Sequence, residues 1–292
     1  MSAIKKKTGS FSSFDGTKIY YEARGEGRPL VFVYGIACLM NHWHFQVDYF
    51  SLHYTVITFD IRGHHNSEQP RDPSLLTIES VAKDIGSLMD HLKIPIADLI
   101  GHSFGAPILI EAFRLFPERI RSLSFVNGFA RNPIRGLGGV NLIEPAIRYI
   151  NESYASGPIN WDQVWRFATS NPLAGLISGL LGGFNLKVAH FKDIEIYARG
   201  VSELPLKTFI NLFEDMLNYN GTELLDKIQC PTLIIAGNQD EVTPLRFQEE
   251  MHSHIKHSEL CVVPYGSHCT QLDFPEFVNL KIEKFLETQK PT

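Results

Sequence analysis

The stretch Ala97-Asp98-Leu99-Ile100-Gly101-His102-Ser103-Phe104-Gly105-Ala106-Pro107 decides the fold. Residues 97–100 read as a buried strand and residues 104–116 as a helix. Between them, Gly101-His102-Ser103-Phe104-Gly105 fits the pattern G-x-S-x-G. In so tight a strand-to-helix turn, side chains two residues either side of the serine collide, so both positions require glycine. Ala106 continues the small residues, and Pro107 falls in the first helical turn, where its missing N–H costs nothing. The turn lifts the Ser103 hydroxyl above the strand ends and aims a helix N-terminus at any developing anion. The pentapeptide alone occurs by chance in glycine-bearing turns; strand before and helix after make Ser103 a candidate nucleophile.

Outward from this turn, strand-like and helix-like patterns alternate. Residues 11–23 read as two short strands around Asp15-Gly16, and residues 29–34 and 54–59 as apolar runs that suit strands buried on both faces. Ile78, Val81, Ile85, Leu88, Met89 and Leu92 share one helical face, and residues 121–126 return to strand. Such alternation implies a mostly parallel sheet with helices on both faces. From residue 131 to about 222 the pattern changes to helices rich in Trp, Phe, Tyr and Leu, punctuated by Pro133, Pro145, Pro158, Pro172 and Pro205. The sheet resumes at residues 231–236, followed by a helix over 245–254, a strand over 260–263 and a last helix over 274–286. The expected architecture is an α/β core of residues 1–130 and 223–292 interrupted by a helical insertion, 131–222.

A serine hydroxyl needs a histidine base and a carboxylate that fixes the imidazole. Asp240, in Gly237-Asn238-Gln239-Asp240-Glu241, follows a strand onto a loop at the sheet edge that also carries Ser103; Glu241 is the reserve. His268, in Pro264-Tyr265-Gly266-Ser267-His268, is the one histidine of twelve that follows the final strand. Backbone N–H groups of Phe104 and of a residue just after Gly35 are the expected oxyanion donors. Ile36 is chosen for the second, with Ala37 in reserve.

With these positions placed, the chain resembles the α/β-hydrolase superfamily, in its serine-nucleophile, capped esterase-like branch. The matching segments are Val33-Tyr34-Gly35, Phe59-Asp60-Ile61-Arg62-Gly63-His64, Gly101 to Gly105, Gly237 to Pro244, and Gly266-Ser267-His268. The resemblance implies the Ser103–His268–Asp240 triad and a lid formed by residues 131–222. Serine at 103 argues against the epoxide hydrolase and haloalkane dehalogenase branches, which use aspartate there. Asn127, at the end of the sixth strand, cannot serve as an alternative acid. Two departures stand out: Tyr34-Gly35 where relatives have His-Gly, and His65 where Gly-His-Gly-x-Ser requires glycine.

The chain has 292 residues, of which 44% are hydrophobic and 20% charged, with a net charge of -5. That is ample material for a core and gives no electrostatic reason to expect nucleic acid. Lys5-Lys6-Lys7 reads as a solvated tail. Neither a signal peptide nor a membrane span is expected; the longest apolar run, residues 173–184, is short and glycine-broken. Cys38, Cys230, Cys261 and Cys269 lack metal-type spacing and read as reduced thiols of a cytoplasmic protein. His42-Trp43-His44 lacks an obvious third ligand, so no metal and no cofactor are expected. Tyr34, Trp43, His102 and Trp165 are expected to border the substrate. Trp161, Trp165, Phe167, Phe184, Phe191 and Tyr197 are expected to form the core of the lid, some of them facing the substrate. The reading is hydrolysis of a small apolar carboxylic ester through an acyl-enzyme. Thioesterase, C–C hydrolase and acyltransferase chemistry use the same triad, and a ligand receptor that retains it is the reading from a different class.

Overall fold

The computed structural model describes residues 5–134, 143–154, 157–170, 184–185, 187 and 191–289. Its strands are β1 (Lys6–Ser12), β2 (Lys18–Arg24), β3 (Arg28–Val33), β4 (Tyr54–Phe59), β5 (Ala97–His102), β6 (Ile120–Val126), β7 (Thr232–Gly237) and β8 (Ser258–Val263). They form one sheet in the order β1-β2-β4-β3-β5-β6-β7-β8. The β1–β2 and β2–β4 pairs are antiparallel, and every later pair is parallel. The β1–β2 turn is tied by the Asp15 carboxylate, which accepts from the Thr17 N–H at 3.1 Å and its hydroxyl at 2.8 Å.

Residues of β5 and β7 are buried throughout, as expected of strands lying between helix layers. The core helices are α1 (His44–Phe50), α2 (Ile78–His91) and α3 (Gly105–Leu115). The expected apolar face of α2 is buried at Ile78, Val81, Ile85, Leu88 and Met89, and the Thr77 hydroxyl caps the helix by accepting from Ser80 N–H at 3.1 Å.

Between β6 and β7 the chain runs through α4 (Ile143–Ser153), α5 (Trp161–Ser170), α6 (Phe191–Glu203) and α7 (Leu206–Asn218). It leaves and returns through a narrow neck, where Arg131 bridges Asn220 and Gly221 N–H donates to Ala130 O at 2.7 Å. Helix α7 docks on the core: Asp215 accepts from Ile78 N–H at 2.7 Å, capping α2, and Gln69 donates to the Thr208 hydroxyl at 2.7 Å. Trp165 stacks on Phe209 with ring centroids 4.9 Å apart and donates its indole N–H to Leu204 O at 3.0 Å, which ties α5 to α7. Phe184 and Tyr197 pack together. One expectation is corrected here: Phe167 is 75% exposed on the outer face of α5 and is no part of a core. Residues 173–183 of the apolar run, and the side chain of Phe191, lie outside the described residues.

The chain then continues through α8 (Thr222–Leu225), α9 (Arg246–His254), α10 (Thr270–Asp273) and α11 (Pro275–Thr288). No helix among the described residues is long and apolar enough to cross a membrane. All four cysteines are free.

The topology fixes where ligands bind. From β3 the chain moves outward to β4, then crosses back to β5 on the other side of β3. Open parallel sheets bind ligands in the crevice beyond the strand C-termini at such a reversal. Here that crevice lies between the ends of β3 and β5, at Gly35 and Ser103.

Candidate active site

Ser103 sits in the left-handed region with φ 52°, a strained conformation for a residue with a β-carbon. A β-carbon at Gly101 would stand 2.9 Å from the Gly105 backbone, and one at Gly105 would stand 2.5 Å from Val33 O. Both glycines are therefore required: the first lets the elbow close, the second lets α3 start against β3. A hydrogen bond from Ser103 N–H to Val126 O at 3.1 Å fixes the elbow to the next strand.

His268 lies on the loop between β8 and α10. Its Nε2 stands 2.8 Å from Ser103 Oγ, and its Nδ1 stands 2.9 Å from Asp240 Oδ2. The three side chains chosen from the sequence are thus brought together in hydrogen-bonding series, and Glu241 takes no part. Asp240 is oriented by its own turn. Its Oδ1 accepts from Val242 N–H at 2.9 Å and Thr243 N–H at 2.8 Å, leaving Oδ2 for the histidine.

Two members of this arrangement escaped the sequence reading. The Thr243 hydroxyl stands 2.7 Å from Asp240 Oδ2, 2.9 Å from Asn127 O and 3.2 Å from His268 Nδ1. Asn127, at φ 49°, donates its amide to the carbonyls of Ser267 and His268, both at 2.6 Å, and accepts from Gly237 N–H at 2.9 Å. It therefore ties the end of β6 to the acid-bearing strand and to the histidine loop. Signals for both were present: a threonine three residues after a turn aspartate, and an asparagine, which tolerates the left-handed region, at a strand end.

Gly35 approaches the nucleophile so closely that a β-carbon there would lie 3.2 Å from Ser103 Cβ and 3.1 Å from His102 Nδ1. Neither Ile36 N–H nor Phe104 N–H has a hydrogen-bond partner among the described residues. Ala37 N–H, the reserve donor, is already committed to His64 Nε2 at 3.3 Å. Accepting there requires His64 to be neutral, and burial pushes its pKa down to about 3. His65 adopts φ 44°, so the left-handed conformation that wants glycine persists with a histidine in it. Its Nε2–H donates to Cys38 O at 2.9 Å. Two adjacent histidines thus brace the turn that carries Ile36.

The residues expected to border the substrate are placed as follows. Tyr34 is wholly buried, its hydroxyl donating to Asp60 at 3.4 Å and accepting from Ile61 N–H at 2.8 Å. Trp43 is also wholly buried, edge-on to Phe32 and His102. His102 runs beneath the site, its Nε2 bonded to His268 O at 2.8 Å. Trp165 is spent on holding α5 to α7.

A model of the alpha/beta hydrolase fold matches residues 28–275. A protein of Azorhizobium caulinodans named as a carbamate hydrolase is 27% identical over 265 residues, covering 89% of this chain and 92% of its own. A 3-oxoadipate enol-lactonase of Acinetobacter baylyi is 26% identical, covering 89% of each chain. An esterase from Exiguobacterium antarcticum superposes with a TM-score of 0.81 at 22% identity, over 96% of this chain and all of that one. The family model spans the elbow and the strands and loops on either side of it. The chain belongs to the alpha/beta hydrolase fold family.

Proposed function

We propose that the protein is a serine hydrolase of carboxylic esters or lactones. The series Ser103 Oγ–His268 Nε2 at 2.8 Å and His268 Nδ1–Asp240 Oδ2 at 2.9 Å carries the reading. Ser103 Oγ attacks the substrate carbonyl carbon while its proton passes to His268 Nε2. Asp240 holds the Nδ1–H tautomer and stabilises the imidazolium. The tetrahedral oxyanion takes hydrogen bonds from Ile36 N–H and Phe104 N–H, each worth about 10²–10³ in rate in comparable sites. Collapse expels the alcohol, which leaves with the proton from His268. Water, deprotonated by the same nitrogen, then releases the acid and regenerates Ser103. Relatives named for carbamate and enol-lactone hydrolysis support attack on a carbonyl carbon bearing a heteroatom leaving group.

Residues 131–222 are proposed as the lid that closes over the acyl group. The neck at Arg131 and Asn220 supports a unit that moves against the core, on which it docks through Asp215 of α7 and Asp193 of α6. The test is a fluorophosphonate probe followed by a chain-length series of p-nitrophenyl esters and simple lactones. One covalent label on Ser103 and multiple turnovers are expected, with both lost in Ser103→Ala. A wild-type chain that binds these compounds without labelling or turnover would overturn the proposal in favour of a receptor.

A further inference from the structure

The histidines set aside in the sequence for want of a third ligand find one in space. Cys38 Sγ, a nitrogen of His42 and a nitrogen of His102 lie within 4.8 Å of one another. All three residues are buried, with exposures of 3%, 5% and 1%. The histidine of Trp43's other flank, His44, is turned away toward Asp193. We propose that Cys38, His42 and His102 bind one Zn²⁺ ion behind the oxyanion turn.

Three observations carry this. First, His42 Nε2 and His102 Nδ1 are buried without hydrogen-bond partners, where nearly all buried polar atoms are paired. Second, the tautomer of His102 is set. Its Nε2 faces His268 O at 2.8 Å, a carbonyl that can only accept, so Nε2 carries the proton and Nδ1 presents a lone pair. A ring N–H donating to a backbone carbonyl is the usual support for a metal-ligating histidine. That nitrogen and the sulfur both border Gly35: a β-carbon there would be 3.1 Å from His102 Nδ1 and 3.4 Å from Cys38 Sγ. Third, the His42 and His102 rings are neighbours with centroids 5.1 Å apart, and a turn of one ring out of the stack lets both in-plane lone pairs meet at one centre.

The donor set selects the ion. One sulfur and two imidazoles suit a borderline-soft cation over Mg²⁺ or Ca²⁺, and three protein ligands with a fourth position left for water are a common zinc arrangement. Atoms at these separations reach zinc bond lengths of ~2.0–2.3 Å with shifts of about an ångström. On binding, the Cys38 thiol releases its proton to solvent and the sulfur's electron pair forms the Zn–S bond; no oxidation occurs. His42 also borders a small cavity lined by Leu39, Asn41, Asp193 and Tyr197. The bound ion would clamp the turn bearing Ile36 to the end of β5.

The full-length chain, stripped with a chelator and dialysed against Zn²⁺, tests the site independently of any hydrolase activity. One zinc per chain is expected by elemental analysis, with affinity at least about 10-fold lower in both Cys38→Ser and His42→Gln. Zinc should raise the melting temperature of the wild type and not of Cys38→Ser. Substitution with Co²⁺ should give a sulfur-to-metal charge-transfer absorption that Cys38→Ser abolishes. The pair His252→Ala/His254→Ala, on exposed α9, should bind zinc like the wild type. Failure of the wild type to retain zinc, retention undiminished in both Cys38→Ser and His42→Gln, or loss in the α9 pair would overturn the assignment. A variant that unfolds is recognised by its melting curve, and the wild-type cobalt spectrum then decides alone.

Discussion

At the scale of single residues, the proposed chemistry rests on groups that hold the catalytic ones as well as on the three themselves. Thr243 satisfies the Asp240 oxygen that faces the histidine. Without the hydroxyl, that carboxylate oxygen loses a polar neighbour at 2.7 Å, and the imidazole loses its alignment. Thr243→Val is expected to lower kcat about tenfold with KM unchanged, and Thr243→Ser to restore it; hydrogen bonds to charged groups of about 1.5–3 kcal/mol set that scale. Steady-state kinetics on one activated ester would show both, and a wild-type kcat in the valine variant would remove Thr243 from the machinery. His65 is a different case. Its φ of 44° and its bond to Cys38 O oppose each other energetically. Glycine relieves the strain and loses the bond, both on the order of 1 kcal/mol. His65→Gly should therefore leave the melting temperature within a few degrees while kcat falls severalfold, because the turn presenting Ile36 is no longer braced. A large drop in melting temperature with kcat intact would contradict this balance.

At the scale of elements, the elbow and the β3 end work as one joint. Gly105 lies so near Val33 O that a methyl group there would stand 2.5 Å from it. Neither partner can yield, since both are backbone of a central strand and of the helix packed on it. In Gly105→Ala, α3 must withdraw from β3, which separates Ser103 from Ile36. The expected loss is about 1–3 kcal/mol of stability, as for other overpacked sites, together with fluorophosphonate labelling slowed at least tenfold. Thermal unfolding and labelling rates measured on one sample decide it, and unchanged labelling would show that the joint tolerates displacement. This joint was readable in the sequence because its rule is local: glycine two residues either side of a serine, between a strand and a helix. Asp240 and His268 were readable for a related reason, since loops that follow parallel strands all emerge on one edge of the sheet. The braces supplied by His64 and His65 were not. Each acts across the molecule on a backbone group, and no spacing along the chain announces such a bond. The grouping of Cys38, His42 and His102 was hidden in the same way: His42 and His44 are close in sequence, but Cys38 and His102 join His42 only through the fold.

At the scale of the whole molecule, the least legible feature is a buried ion cluster that fastens the antiparallel edge of the sheet to the helical layer. Arg62 belongs to a segment read only for its resemblance, and an arginine followed by glycine suggests surface. It is instead wholly buried, bonded to Asp84 at 2.7 and 2.8 Å, to Asp15 at 3.1 Å and to Leu75 O at 3.1 Å. The cluster joins the β1–β2 turn, the loop after β4 and helix α2. Burial, with a smaller push from the Asp15 charge, raises the Asp84 carboxyl above its ordinary range, and the guanidinium and the Ser13 hydroxyl work against that shift. Removing the guanidinium leaves a buried carboxylate without its counter-charge, which costs about 3–5 kcal/mol. For a chain of this size that is a fall in melting temperature on the order of 10 °C. The sign of the pH dependence follows. In Arg62→Met the folded-state pKa of Asp84 rises further above its unfolded value, so the folded chain binds a proton more tightly than the unfolded one. The cost is then greatest above the folded pKa and shrinks as pH falls through it. Melting temperatures of wild type and Arg62→Met compared from about pH 8 down to about pH 5 should converge toward the acid end. A gap that stays constant or widens over that range would place the cost in lost packing around the methionine and not in the stranded charge of Asp84.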